Sequence, residues 1–200
     1  MKLLTFVFFL FSTYNLSAQS VSPNNGDTTF KANRTKISAE RLKRSLNLSG
    51  GRSPLYVLND KLLDDTLVDR ILGNVDAADI LEIKVLKDSL APNVYTQRPP
   101  SPIVLVTTIA YAQKEYQKKL YTFSKKYKDY LEAHQNKDKD ILYVLDGVLL
   151  NATPMTAKEN EDMTKKLYEI PAKRIKKVRY SDNFLEGMKN GATIFITTRH

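Results

Sequence analysis

Cysteine and tryptophan are absent from this 200-residue chain, and only two histidines are present. Without cysteine there is no thiolate nucleophile, Cys-based zinc or iron–sulfur site, disulfide scaffold or lipid attached through an N-terminal cysteine. His134 and His200 are too far apart to form the local pair of a metal site or compact triad. Long hydrophobic runs are missing after the first dozen residues, so no later segment offers the roughly 20 apolar residues that cross a bilayer as a helix. Acids are scarce too: 22 Asp+Glu face 31 Lys+Arg, a formal net charge of +9. Apolar residues at 42% and charged residues at 26% are globular proportions, which exclude wholesale disorder. A chain of this length holds one domain or two very small ones.

The one long apolar run is at the start. Met1-Lys2 precedes Leu3–Phe11, and polar Ser12, Thr13, Asn15 and Ser17 follow before Ala18. A basic start, a short apolar stretch and small residues near Ala18 predict a secretory signal peptide over residues 1–19. The stretch is too short for a membrane anchor. The expected location is therefore outside the cytoplasm, periplasmic or secreted, with association to the outer membrane open. Residues 20–52 read as a basic, flexible leader with a short helix near Ser38–Leu46, stopped at Ser49-Gly50-Gly51. Over 30–52, seven basic residues (Lys31, Arg34, Lys36, Arg41, Lys43, Arg44, Arg52) face Glu40 alone. Residues 53–110 are net acidic, whereas 111–140 and 170–200 are basic.

Comparing the chain with itself exposes a duplication. Leu55-Tyr56-Val57-Leu58-Asn59 recurs as Leu142-Tyr143-Val144-Leu145-Asp146, and Ile80-x-x-Ile83-x-Val85 answers Ile175-x-x-Val178-x-Tyr180. Ile103-Val104-Leu105-Val106-Thr107-Thr108 recurs as Thr193-Ile194-Phe195-Ile196-Thr197-Thr198. Three blocks in one order, twice, define copy one (53–110) and copy two (140–200). The leading blocks are continuous apolar runs, suited to strands covered on both faces. Asp60 in copy one and Asp146-Gly147 in copy two supply the turns. A helix follows in each. In copy one Asp64 can cap it, Leu67 and Ile71 share a face, and Gly73-Asn74 stops it. In copy two Thr156-x-x-Glu159 is a capping box, Met163 and Leu167 share a face, and Pro171 ends it.

Ile80–Leu86 and Ile175–Tyr180 alternate as half-buried strands. Ile103–Thr108 and Thr193–Thr198 close each copy. The connection before the last strand carries Pro99, Pro100 and Pro102 in copy one, but Gly187 and Asn190-Gly191 in copy two. Each copy thus reads strand–helix–strand–strand, with a right-handed first crossover and an antiparallel final pair. Between the copies, over 111–139, one long amphipathic helix is predicted from Tyr111 to Gln135. Its apolar stripe is Tyr116, Leu120, Phe123, Tyr127 and Tyr130. The expected fold class is α+β: two β-α-β-β units joined by that helix.

These blocks resemble the plug domain of TonB-dependent outer-membrane receptors, in the form common in Bacteroidota. The resemblance rests on Tyr56, Val57, Ile80, Ile83, Val85, Lys87, Asp88, Thr107 and Thr108 in copy one. In copy two it rests on Tyr143, Val144, Asp146, Gly147, Gly187, Gly191, Thr197 and Thr198. It spans about 120 of the 200 residues. It implies two plug-like units reused as an interaction or adaptor fold. The receptors continue into a transmembrane barrel, whereas this sequence stops at His200, and no box that engages TonB is recognisable before residue 53. Transport by this chain alone is therefore not expected. Copy one also has prolines in place of the glycine turn, and copy two lacks the Leu-Lys-Asp run.

Paired acids at Asp64-Asp65 and at Asp76 with Asp79 suit helix starts and solvated loops better than a catalytic dyad. His134 suits a helix C-terminus and has no evident orienting partner as a base. No nucleophile elbow, phosphate loop or metal-spaced cluster appears. The expectation is a non-catalytic protein with no cofactor, no metal and no nucleic-acid partner. The leading reading is an adaptor that binds another envelope protein, the edge of the last strand of a unit being the contact. The second is a binder of anionic lipid or glycan through Arg34, Lys36, Arg41, Lys43 and Arg44. The third is a hydrolase assembled from scattered residues.

Overall fold

The computed structural model describes residues 36–48, 53–86, 102–152, 155–182 and 192–199. Residues 1–19, Arg34, Lys87, Asp88, Pro99, Pro100, Gly187 and Asn190-Gly191 lie outside the described residues. The described residues fall within one compact unit that contains both copies.

Copy one runs α1 (Ala39–Ser45), β1 (Leu55–Leu58), β2 (Lys61–Leu62), α2 (Val68–Leu72), β3 (Ile80–Leu86) and β4 (Ile103–Thr108). Then come α3 (Ile109–Tyr121) and α4 (Lys125–Ala133). Copy two follows with β5 (Ile141–Leu145), β6 (Val148–Leu149), α5 (Ala157–Glu169), β7 (Ile175–Asp182) and β8 (Ala192–Thr198). The α+β class and the two β-rich units are as expected. The described strands form two four-stranded sheets, ordered β2-β1-β4-β3 and β6-β5-β8-β7, the same arrangement twice.

In each sheet the closing strand is internal. β4 runs parallel to β1 and antiparallel to β3, and β8 stands likewise between β5 and β7. Two expectations are thereby corrected. The last strand of a unit has no free edge; β3 and β7 take the edge. The first crossover joins strands that run antiparallel with another strand between them, so the handedness rule for parallel crossovers does not govern it. The antiparallel final pair holds in both copies. Both copies also carry a bulge at the start of the edge strand, between Ile80 and Glu82 and between Ile175 and Lys177. A bulge of this kind bends the strand and breaks strict alternation.

The predicted 25-residue connecting helix is two helices. Thr122 Oγ1 donates to the Lys119 carbonyl at 2.6 Å, and Ser124 Oγ accepts from the Tyr127 N–H to start α4. Side chains that satisfy backbone groups locally offer the chain this break. The apolar spacing conceals it, because Tyr116, Leu120, Tyr127 and Leu131 are all buried on either side. Phe123, in the gap, is 42% exposed.

The repeat is longer than the sequence blocks. α1 and α4 each precede the first strand, start at a serine cap (Ser38, Ser124) and end beside a left-handed residue (Asn47, Gln135). The helical part of the leader is therefore built into copy one: Ile37 and Leu42 are buried with Tyr56, Val68, Leu72, Val104 and Val106. In copy two Tyr116, Tyr127, Tyr143, Met163, Leu167, Ile194 and Ile196 share the core under α3, α4 and α5. Burying each such side chain is worth about 1.5–3 kcal/mol. α2 is short, and Leu67 occupies its N-cap with no side-chain cap, so Val68 and Leu72 are the buried pair. α5 begins with the expected capping box and ends before Pro171. No described helix is long and apolar enough to cross a membrane.

Candidate interaction surface

The motif positions of the two copies converge on one hydrogen-bonded clamp. The β1–β2 turn places Asn59 and Asp60 at φ 51° and 61°; the β5–β6 turn places Asp146 and Gly147 at 47° and 86°. Two left-handed residues in succession make a tight hairpin turn whose twist matches the strands. Asn59 Oδ1 accepts from the Thr108 N–H at 2.9 Å and from its hydroxyl at 3.2 Å. Asp146 accepts from Thr198 in the same way, at 2.8 and 2.7 Å. The "Tyr-Val-apolar-Asx" and "Thr-Thr" blocks are thus two halves of one device that ties the end of β1 or β5 to the end of β4 or β8.

Beneath copy two lies a buried polar network. Asp138, 2% exposed, accepts from Gln113 Nε2, Tyr116 OH and Tyr143 OH, each at 2.6 Å. Because Tyr143 gives its proton to Asp138, Tyr127 donates in the 2.7 Å contact between the two tyrosine hydroxyls. Burial pushes all three phenols well above their ordinary value. The network joins α3, α4 and β5 from inside.

Each sheet has a second face, turned away from these cores. In copy one a row crosses it as Leu62, Val57, Leu105 and Lys84; in copy two the same row is Leu149, Val144, Phe195 and Arg179. The neighbouring pair is Thr107 with Glu82 in copy one and Thr197 with Lys177 in copy two. Copy one's face buries Leu55, Val57 and Ile103, leaves Leu62 43% exposed, and meets α5 at its Glu82–Thr107 end. Lys165 Nζ stands 3.3 Å from Glu82 Oε1, and Tyr168 shares a hydrogen bond with Thr107. Burial raises the Glu82 carboxyl, but the Lys84 and Lys165 ammoniums outweigh it and hold the group below its ordinary range.

Lys119 fixes α5 for this contact. Its ammonium donates to the carbonyls of Leu167 (3.2 Å), Tyr168 and Ile170 (2.8 Å), at the helix end where the dipole favours a cation.

Copy two's equivalent face buries Leu142 and Thr193 in the same way but is more open towards β6. Val144 and Phe195 are half-buried, Leu149 is 53% exposed, and a cavity of about 340 Å³ opens among Leu142, Val144, Leu149, Phe195 and Thr197. Along its border runs β7, which pairs only with β8 among the described strands. Lys173, Arg174, Lys176, Lys177 and Arg179 are all exposed, and Arg179 lies 4.3 Å over the Phe195 ring. Charge on an edge strand deters pairing with its own kind. Five cations in seven residues repel a second β7 and make this edge a strongly positive stripe.

The basic residues singled out in the leader lie elsewhere, on copy one. Lys36 bridges to Asp76; Arg41 is exposed, Lys43 half-buried, and Arg44 Nε donates to the Glu40 carbonyl at 3.3 Å. The β7 cluster was visible in sequence only as the dense run Lys173–Arg179, and its significance comes from the edge position. Of the plug-like positions, Tyr56 donates to the Ala39 carbonyl at 3.1 Å, while Ile80 and Ile83 pack on the copy-one core. Val85, paired with Val104, falls on that same side.

The acids behave as turn and cap groups. Asp64 accepts from the N–H and hydroxyl of Thr66, and Asp76 accepts from the Ala78 N–H. His134 caps α4, its Nδ1 donating to the Tyr130 carbonyl at 2.8 Å and its ring stacked on Tyr130. Among the described residues no group of three or more His, Asp or Glu could hold a metal ion. No family model matches the chain, and no curated protein or solved structure proved similar to it.

Proposed function

We propose that this chain is an exported, non-catalytic interaction protein of the cell envelope. It is built from two degenerate repeats of the kind found in TonB-receptor plugs and works without a cofactor, binding another envelope protein through copy two. The observation that carries this reading is the cavity among Val144, Leu149 and Phe195 on copy two, beside an exposed cationic edge. An open apolar face with half-exposed Phe195 and Leu149 suits a protein partner, with the charge steering association. Capture from envelope extract tests it. The wild-type chain recovers a specific partner, and Lys176→Glu/Lys177→Glu/Arg179→Glu loses it; recovery of no specific protein contradicts the reading.

A second reading is favoured by the basic stripe itself. Lys173–Arg179, with Lys36, Arg41, Lys43 and Arg44, could hold anionic lipid or polysaccharide, each cation near a charged surface contributing about 1 kcal/mol. Flotation with anionic vesicles decides. Binding that fades as salt rises supports it, and equal behaviour with neutral vesicles removes it.

A further inference from the structure

We infer that the partner adds an extended strand of alternating acidic and apolar residues to the outer edge of β7. This rests on the interaction reading above and specifies the partner's chemistry. The two edges of the copy-two sheet are treated differently. On the β5 side the edge is sealed. β6 pairs with Val144 and Leu145, and the Leu150 N–H donates to the Tyr143 carbonyl at 2.8 Å. The buried Asn151 amide then stands in for a further strand, accepting from the Tyr143 N–H and donating to the Ile141 carbonyl, both at 2.8 Å. On the other side β7, eight residues long, pairs only with β8 among the described strands.

The register determines which groups β7 offers. Asp146 N–H donates to the Ile196 carbonyl and Thr198 N–H to Asp146 Oδ1, so Ile196 and Thr198 turn their backbone groups toward β5. Alternation along β8 turns Phe195 and Thr197 toward β7, where they face Arg179 and Lys177. Val178 and Tyr180 therefore present their N–H and C=O groups outward, the row that an added strand bonds. Residues of that strand opposite Val178 and Tyr180 fall on the core side, beside the Tyr130 and Tyr180 rings, which suits apolar side chains. Those opposite Lys177 and Arg179 fall on the other face. On the equivalent rungs of β3, Lys84 and Glu82 pair with each other at 2.6 Å. On β7 both rungs are basic, and neither cation has an ion pair among the described residues. Opposite charges across a strand pair stabilise it and like charges destabilise it, so these rungs select acids and reject a second β7.

The test uses the full chain and a labelled peptide of alternating valine and glutamate, matched in length to the eight residues of β7. A second peptide has lysine for glutamate, and two more are N-methylated at every valine or at every glutamate. Fluorescence anisotropy should show binding of the glutamate peptide and not of the lysine one. N-methylation at the valines, whose backbone faces β7, should weaken binding roughly tenfold or more through lost hydrogen bonds. N-methylation at the glutamates, whose backbone faces away, should leave it unchanged. Hydrogen exchange of the chain should slow at the Val178 and Tyr180 amides, and not at Lys177 and Arg179, which already bond β8. Lys177→Glu/Arg179→Glu, checked for an unchanged melting temperature, should reverse the preference between glutamate and lysine. Absence of binding, equal loss from both N-methylated peptides, or no reversal overturns the proposal. So does binding of phosphatidylserine vesicles with no peptide bound, or a dimer of the chain alone that protects the same two amides. Capture from envelope extract does not depend on an added strand. Failed peptide binding with retained capture therefore sinks the strand alone, and failure of both sinks the interaction reading beneath it.

Discussion

Lys165, in the helix of copy two, stands 3.3 Å from Glu82 on the edge strand of copy one, an ion pair that joins the two halves of a duplicated chain. Glu82 is held below the ordinary carboxylate range by Lys165 and Lys84 despite its burial. A carboxyl depressed in the folded state contributes stability above its unfolded value, about 4.3, and loses it as pH falls through the folded value. The melting temperature should therefore drop below about pH 4. Lys165→Met should shrink that acid drop by lowering stability at neutral pH while leaving the acid end nearly unchanged; an equal drop in both proteins counts against the pair.

The Asp146–Thr198 clamp should behave as a coupled pair. Asp146→Gly keeps the left-handed φ accessible and removes only the carboxylate, and Thr198→Val removes only the hydroxyl. A double-mutant cycle by urea unfolding should give a coupling of about 1 kcal/mol, the net value of such hydrogen bonds. Additive effects would mean that the clamp does not hold the strand ends.

Asp138→Ala would strand the hydroxyls of Tyr116 and Tyr143 and the Gln113 amide in the core. The expected loss is about 3 kcal/mol by urea unfolding, because buried donors without acceptors carry their full desolvation cost. The same network sets an alkaline limit. Phenols raised by burial stabilise the fold fully below the ordinary tyrosine value, about 10, and lose that contribution as pH rises beyond it. Phenolate absorbance and loss of circular dichroism should appear together above pH 10; tyrosines that titrate with the fold intact contradict the burial.

Lys119→Met removes three hydrogen bonds to the end of α5 while keeping the aliphatic packing. A loss of about 2 kcal/mol is expected, since bonds from charged donors are worth roughly 1.5–3 kcal/mol. Hydrogen exchange should accelerate in the last turn of α5 first, and uniform acceleration throughout the chain would place the effect elsewhere.

Much of this was legible in residue order. The repeated blocks located six of the eight described strands, the Thr156–Glu159 box marked the start of α5, and Ser38–Leu46 bounded α1 closely. What escaped notice has physical causes. The two-residue strands β2 and β6 are too short to show periodicity. The break at Thr122–Ser124 is made by hydroxyls that cap the backbone without disturbing the apolar stripe. Placing β4 and β8 inside their sheets requires strand pairing across long sequence separations, so a sequence reading put the free edge on the wrong strand. The open face was hidden for the same reason: Leu149, Val144, Phe195 and Arg179 are adjacent only through pairing. Lys177 in place of Glu82 becomes informative only once both are seen on equivalent rungs.

Parallel capture from envelope extract shows whether copy two binds a partner through its apolar face and cationic edge. Wild-type chain and the Lys176→Glu/Lys177→Glu/Arg179→Glu variant, matched for melting temperature, are each used as bait. A defined partner is expected on the wild-type chain and is lost from the variant. The same protein recovered equally on both, or none on either, would contradict it.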